Sequence, residues 1–327
     1  MDHPQLFSAG FYASIRFKRI MRVDHPKIPQ RSYRGISSMA LARILTAKGV
    51  QAARIDIHRG NAAVATPLNL AAAGLASLSQ LLSHPELVAL AEQLEADGPG
   101  IPLDEVNWLP PIDDQEVWAA GVTYKRSQKA RMEESEAAAS CYDRVYTAAR
   151  PEIFFKATPG RCSGHLGMLR IREDAHWNVP EPELALVIAS SGKIVGYTIG
   201  NDMSSRDIEG DNPLYLPQAK LYNQCCGLGP WISLTSQMPE RQSIQIALAI
   251  HRDDAIVFEG QTSVAQMARQ FEDLVGWLLR DNDMHQGAFL LTGTGVVPES
   301  DFTLQRGDIV DITISGIGTL TNTIVQG

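Results

Sequence analysis

The stretch richest in reactive groups is Pro180-Glu181-Pro182-Glu183, which runs straight into the apolar segment Leu184-Ala185-Leu186-Val187. Residues two apart on an extended chain project to one side. Glu181 and Glu183 therefore aim two carboxylates in one direction at the mouth of a buried strand. Like charges that close need a cation or a shared proton. A third acid, Asp202, ends the next apolar segment in Gly200-Asn201-Asp202, and pairing of the two strands would bring it to the glutamates. Three carboxylates with no histidine or cysteine nearby suit magnesium, manganese or calcium better than zinc. Alone, Glu-x-Glu is equally the pattern of a solvated strand edge. Farther on come Ser204-Ser205-Arg206-Asp207 and then Lys220. Lys220 is a candidate ion-pair partner of the acids, or a compact cation for a substrate carboxylate. Arg206 is a candidate for a structural ion pair or for a substrate contact.

The elements that must position these groups read mainly as strands. Period-two or continuous apolar runs predict strands over Val117–Val122, Glu152–Lys156, Leu184–Ala189, Ile194–Asn201, Ile244–His251, Ala255–Glu259, Ala288–Thr292, Asp308–Ser315 and Leu320–Val325. Upstream, the segments opening at Met39 and over Ala53–His58 also read as strands. Helices are expected over Ser83–Leu94 and Ser263–Leu279, each opened by a capping box (Ser83 with Glu86, Ser263 with Gln266). The stretch Ser127–Ala149 lacks glycine and proline and reads as a helix, either a connector or a cover over a pocket. Few helices between strands argue for a mixed or antiparallel α+β architecture that is mainly β, not a doubly wound sheet.

The chain has 327 residues, 44% apolar and 20% charged, which is ordinary globular usage and long enough for about two domains. The expected division is a basic leader or tail at 1–38, a small N-terminal α+β domain at 39–112 and a catalytic domain at 113–327, joined through Leu109-Pro110-Pro111. The leader holds Arg16, Lys18, Arg19, Arg22, Lys27, Arg31 and Arg34 against Asp2 and Asp24. It reads as a flexible tail, an upstream start-site artefact or a transit peptide. The net charge of −8 argues against nucleic-acid binding, and no apolar run is long enough to span a membrane. Four cysteines with no CxxC pair suit a cytoplasmic setting.

Together, the motifs resemble the fumarylacetoacetate hydrolase superfamily. Its marks are Glu181-x-Glu183, then Gly196-Tyr-Thr-x-Gly-Asn-Asp-x-Ser-x-Arg-Asp207, Lys220, and Leu291-Thr-Gly-Thr-Gly295. The resemblance covers residues 113–327. Within the superfamily, Gly121-Val-Thr-Tyr-Lys-Arg-Ser127, Arg150-Pro-Glu-Ile-Phe-Phe-Lys-Ala-Thr158 and Asp207-Ile-Glu-Gly-Asp-Asn-Pro-Leu-Tyr-Leu-Pro-Gln-Ala-Lys220 are similar to the 2-keto-3-deoxy-pentonate dehydratase branch.

The resemblance implies a β-roll or β-sandwich catalytic domain acting as a homodimer or homotetramer on a small 2-keto acid. It implies magnesium, with manganese or calcium as alternatives, on Glu181, Glu183 and Asp202. Lys220 and Thr294 become candidates for gripping the substrate, although Gly295 stands where relatives often have proline. Carbon–carbon hydrolases of the superfamily carry a histidine shortly after this Gly-x-x-Tyr motif to activate water. Here Lys125-Arg126-Ser127 follows, and no histidine lies between Gln115 and Gly164. Without a base for its water a hydrolase would lose about 10²–10⁴-fold in rate. The expected activity is therefore a magnesium-dependent dehydratase of a 2-keto-3-deoxy sugar acid. The alternative is an acylpyruvase-type hydrolase of a β-diketo acid, and a decarboxylase or isomerase is a more distant rival. Glu152, before the apolar Ile153-Phe154-Phe155, is the candidate for proton transfer or for an outer-shell carboxylate near the metal. Arg126 and Arg131 are candidates for contacts with substrate hydroxyls or carboxylate.

Overall fold

Strand-forming runs dominate the chain, and the computed structural model, which describes residues 38–57, 64–124 and 144–327, is mainly β. In chain order the strands are β1 (Ser38–Thr46), β2 (Gly49–Ile57), β3 (Val64–Pro67), β4 (Ile101–Pro102), β5 (Asn107–Leu109), β6 (Glu116–Gly121) and β7 (Glu152–Ala157). They continue with β8 (Cys162–Ser163), β9 (Met168–Ile171), β10 (Asn178–Val179), β11 (Pro182–Ile188), β12 (Ile194–Asp202) and β13 (Ser204–Ser205). The last are β14 (Cys226–Leu234), β15 (Gln245–Arg252), β16 (Ala255–Ser263), β17 (Ala288–Leu291), β18 (Ile309–Ile314) and β19 (Gly318–Gln326). The helices are short: α1 (Leu78–Leu82), α2 (Leu87–Gln93), α3 (Arg206–Asp211), α4 (Leu216–Lys220) and α5 (Phe271–Leu278).

A twelve-stranded sheet runs in the order β4-β3-β2-β1-β14-β12-β11-β17-β6-β7, with β5 paired to β1 and β8 to β14. A five-stranded sheet runs β16-β15-β18-β19-β9. Strand β11 shows why the two pack together. All seven of its residues are buried, as a continuous apolar run covered on both faces demands. Leu184, Leu186 and Ile188 point into the core shared with Ile246, Leu248 and Ile312 of the smaller sheet. Ala185 and Val187 point the other way, onto Leu78, Leu81 and Leu82 of α1. Burying each large aliphatic side chain contributes about 1.5–3 kcal/mol. Helix α5 adds Phe271, Leu274, Val275 and Leu278 to the inter-sheet core.

The expected strands are present, and several differences have local causes. The helix expected over Ser83–Leu94 is two helices. Ser83 ends α1 rather than capping α2, and its Oγ accepts from the Ser190 N–H at 3.1 Å. The helix expected from Ser263 begins only at Phe271. Ser263 is the last residue of β16, and its hydroxyl caps a single 3-10 turn by accepting from Ala265 N. Strand β14 has no clear strand pattern in the sequence, because glycine and proline interrupt Cys226-Gly-Leu-Gly-Pro-Trp231. Its pairing with β12 accommodates them through a register shift between Tyr197 and Ile199. The position 112/113 falls between β5 and β6, which belong to one sheet. The leader, and most of the helix expected over Ser127–Ala149, lie outside the described residues; residues 144–147 are helical. No described helix is long and apolar enough to cross a membrane.

His165 supplies a pH test of this packing. It lies edge-on to Trp108, and its Nδ1 accepts from the Thr321 N–H at 3.1 Å, which requires a neutral ring. Burial pushes its pKa from 6.5 down to about 4, only partly countered by Asp311. The unfolded chain therefore takes up a proton that the folded chain refuses. Stability is complete above the ordinary histidine pKa and falls by up to about 3 kcal/mol as the pH drops from about 6.5 to about 4. Urea unfolding across this range should show that slope in the wild type and a shallower one in His165→Gln. Equal slopes would contradict the assignment.

Candidate metal centre and active-site pocket

Antiparallel pairing of β11 and β12 sets Pro182 opposite Asn201 and Glu183 opposite Gly200. The zipper continues past the strand ends, where Asp202 N donates to Glu181 O at 3.0 Å and Glu181 N donates to Asn201 Oδ1 at 3.2 Å. Glu181, Glu183 and Asp202 are thereby fixed together. All three are buried, and one oxygen from each lies within 4.8 Å of the others. Gly293 completes the cradle. With φ +93° it turns its N–H onto Glu183 Oε2 at 2.6 Å, and a Cβ there would meet Thr123 Oγ1.

Three buried cations face the three acids. Arg206 reaches Glu181 Oε1 at 2.9 Å. Lys220 Nζ bridges Glu181 Oε2 at 2.8 Å and Asp202 Oδ2 at 3.1 Å. Lys156 Nζ lies 2.6 Å from Asp202 Oδ1 and is fully buried. Burial works against the Lys156 charge, but Asp202 with Cys225 holds its pKa above the usual lysine range. Glu183 differs. Burial, then the charges of Asp202 and Glu181, push its carboxyl well above the ordinary glutamate range, only partly offset by Gly293 N–H and Lys220.

A small pocket opens over the cluster, and Glu152, Phe154, Arg206, Glu209, Lys220, Gly121 and Thr294 contribute to its wall. Glu152 stands opposite Gly121 in the β6–β7 pairing, and a Cβ at Gly121 would clash with Glu152 Oε2. Glycine there lets the carboxylate lie flat against β6. The Thr294 hydroxyl donates to Val296 O at 3.0 Å while lining the pocket. The structure thus brings together Glu181, Glu183, Asp202, Lys220, Arg206, Glu152 and Thr294. Arg126 and Arg131 lie outside the described residues.

Lys156 and Glu209 escape the sequence reading. Between Trp118↔Phe155 and Val117↔Ala157, Lys156 is an extra, unmatched residue of β7, and such bulges re-aim side chains. A lysine closing an apolar run, Ile153-Phe-Phe-Lys156, is the only sequence sign of this. Glu209 sits on α3, buried, with Ser204 Oγ donating to its Oε2 at 2.8 Å. Its sign is its spacing three residues after Arg206 on one helix face.

The donor set fits a divalent ion. Glu181, Glu183 and Asp202 offer only hard oxygen donors, all buried and converging on one point, the donor chemistry that magnesium, manganese or calcium takes. Burial and the charges of Asp202 and Glu181 raise the Glu183 pKa, as crowding of like charges does. Oxygens within 4.8 Å of one another match ligand pairs around a centre with metal–oxygen distances of about 2.1–2.5 Å.

The model of the fumarylacetoacetate (FAA) hydrolase C-terminal family matches residues 116–325. The chain belongs to the fumarylacetoacetate hydrolase family. Among its relatives, a probable 2-keto-3-deoxyxylonate dehydratase of Haloferax volcanii is 48% identical over 214 residues, 65% of this chain and 73% of the relative. A 2-dehydro-3-deoxy-D-arabinonate dehydratase of Saccharolobus solfataricus is 46% identical over 221 residues, 67% of this chain and 74% of the relative. The fold matches a structure of 2-keto-3-deoxy-D-arabinonate dehydratase complexed with magnesium and 2,5-dioxopentanoate, with a TM-score of 0.73 and 36% identity. That match covers 88% of this chain and 99% of the other.

Asp202 carries the heaviest electrostatic duty, since two ammonium groups depend on it. Asp202→Asn should destabilise the metal-free protein by about 3–5 kcal/mol, the usual cost of leaving a buried charge without its partner. Chemical denaturation in the presence of a chelator measures this. A loss below about 1 kcal/mol would contradict the ion-pair account.

Proposed function

We propose that the chain is a magnesium-dependent dehydratase of a 2-keto-3-deoxy sugar acid. The observation that carries this reading is a pocket combining a three-carboxylate ion site with a further carboxylate, Glu152, and no described histidine in its wall. The relatives named for dehydration of such acids support it. Glu181, Glu183 and Asp202 would hold the ion. Magnesium bound there supplies Lewis-acid polarisation of the 2-keto group, which acidifies the adjoining C3 hydrogens.

The chain's own side chains do the rest. Lys220 lies at the centre of the acids with its ammonium toward the pocket, where it grips the substrate carboxylate. Glu152 takes one proton from C3 and delivers a proton to the C4 hydroxyl. The C3–H and C4–O bonds break, a C3=C4 double bond forms and one water leaves. For a pentonate, a proton shift from C5 to C3 gives the C4=C5 enol, and moving its O5 proton to C4 gives 2,5-dioxopentanoate, the compound held with magnesium in the related structure. Phe154, beside Glu152, keeps that side of the pocket apolar. Arg206, tied to Glu181, orients a ligand carboxylate rather than the substrate. We place the enzyme in the cytoplasm, where the described cysteines, all free thiols, would stay reduced. As its family resemblance suggests, it would act as a homodimer or homotetramer.

Incubation with a panel of 2-keto-3-deoxy acids and an acylpyruvate, with Mg²⁺ or with a chelator, tests the reading. The expected result is chelator-sensitive formation of a dioxo acid from a 2-keto-3-deoxy-pentonate. Release of a carboxylic acid from the acylpyruvate would instead favour hydrolysis. Glu152→Gln should lower turnover by at least about 10²-fold with Mn²⁺ binding retained. Near-normal turnover would remove Glu152 from the proton-transfer role.

A further inference from the structure

We propose that Lys156 is a positioning residue that locks the ligand Asp202 and the substrate-gripping Lys220 into one unit, so that the ion site and the keto-acid site are assembled together. The proposal rests on the reading of Glu181, Glu183 and Asp202 as an ion site. The Lys156 ammonium donates to Met203 O at 2.9 Å and to Lys220 O at 2.7 Å, and it forms an ion pair with Asp202 Oδ1 at 2.6 Å. Fully buried behind these contacts, Lys156 is not part of the pocket wall.

Its contacts close a loop. Lys156 holds one oxygen of Asp202, and Lys220 holds the other at 3.1 Å while reaching Glu181 at 2.8 Å. The Lys220 backbone carbonyl returns to Lys156. Three separate segments, the bulge in β7, the end of β12 and the end of α4, are therefore pinned at one nitrogen. The bulge makes this geometry available by inserting Lys156 as an unmatched residue between Phe155 and Ala157.

Two accounts of Lys156 give opposite signs. If it were only a counter-charge, its removal would make the acids more negative and tighten binding of a cation. If it fixes the Asp202 carboxylate, its removal loosens the site, as loss of partners that orient metal ligands typically lowers affinity by about 10–100-fold. Lys156→Arg separates charge from shape, since a planar guanidinium keeps the charge but cannot aim at the same three oxygens.

Mn²⁺ titration followed by electron paramagnetic resonance, on wild type, Lys156→Met and Lys156→Arg, tests the proposal, with circular dichroism confirming folding. The expected result is a rise in the Mn²⁺ dissociation constant of about 10-fold or more in both variants, with KM for the keto acid rising more than kcat falls. If Lys156→Met does not fold, the Lys156→Arg titration decides alone. Tighter or unchanged Mn²⁺ binding in the folded variants would overturn the proposal while leaving the ion site intact. A wild type that binds no Mn²⁺ would overturn both.

Discussion

Mutual repulsion among buried carboxylates is the constraint that organises this molecule. Glu181, Glu183 and Asp202 are almost wholly removed from water and lie within one ion's reach of each other. Such an arrangement is costly unless each charge is matched. Lys156, Lys220 and Arg206 match part of it, and each is as deeply buried as the acids. Arginine suits the Glu181 contact because its charge persists whatever its surroundings. The repulsion is felt most at Glu183, which accepts from the Gly293 backbone N–H while burial and its acidic neighbours push its pKa up. A divalent ion is the economical remedy, and once bound there it would present coordination positions to a chelating 2-keto acid.

The fold serves this cluster by rigidity. Strands β11 and β12 lie inside a twelve-stranded sheet, flanked by β17 and β14. Strand β11 is buried on both faces by two distinct cores. A one-residue slip in its pairing would exchange those faces and carry Glu183 away from its partners. Two glycines permit close approach where side chains would interfere: Gly293 for the N–H aimed at Glu183, and Gly121 for Glu152. Sites on strands so constrained hold their groups more tightly than sites on loops.

Much of this was legible in sequence because it is local. Glu181 and Glu183 sit two apart before an apolar run, and Asp202 ends the next one, so the pattern made the trio candidates on condition that the two strands pair. Lys220 and Thr294 came from motif order. What was hidden is non-local or turns on a single inserted residue. Lys156 faces Asp202 only because β7 bulges. Glu209 reaches the pocket only because Arg206–Asp211 forms a short helix. Strand β14 was obscured by its own glycines and proline, and the serines at 83 and 263 looked like helix caps because they do accept from backbone N–H groups, though in other settings. The family resemblance resolved the ligand set, whereas the ion-pair loop behind it required three-dimensional proximity.

Where a divalent ion binds is the most direct test of the buried acid cluster. Crystals grown with Mn²⁺ and measured near the manganese absorption edge should show an anomalous peak between Glu181, Glu183 and Asp202, with one oxygen of each at about 2.2 Å. A peak at another site, or occupancy there that leaves Asp202 uncoordinated, would contradict it.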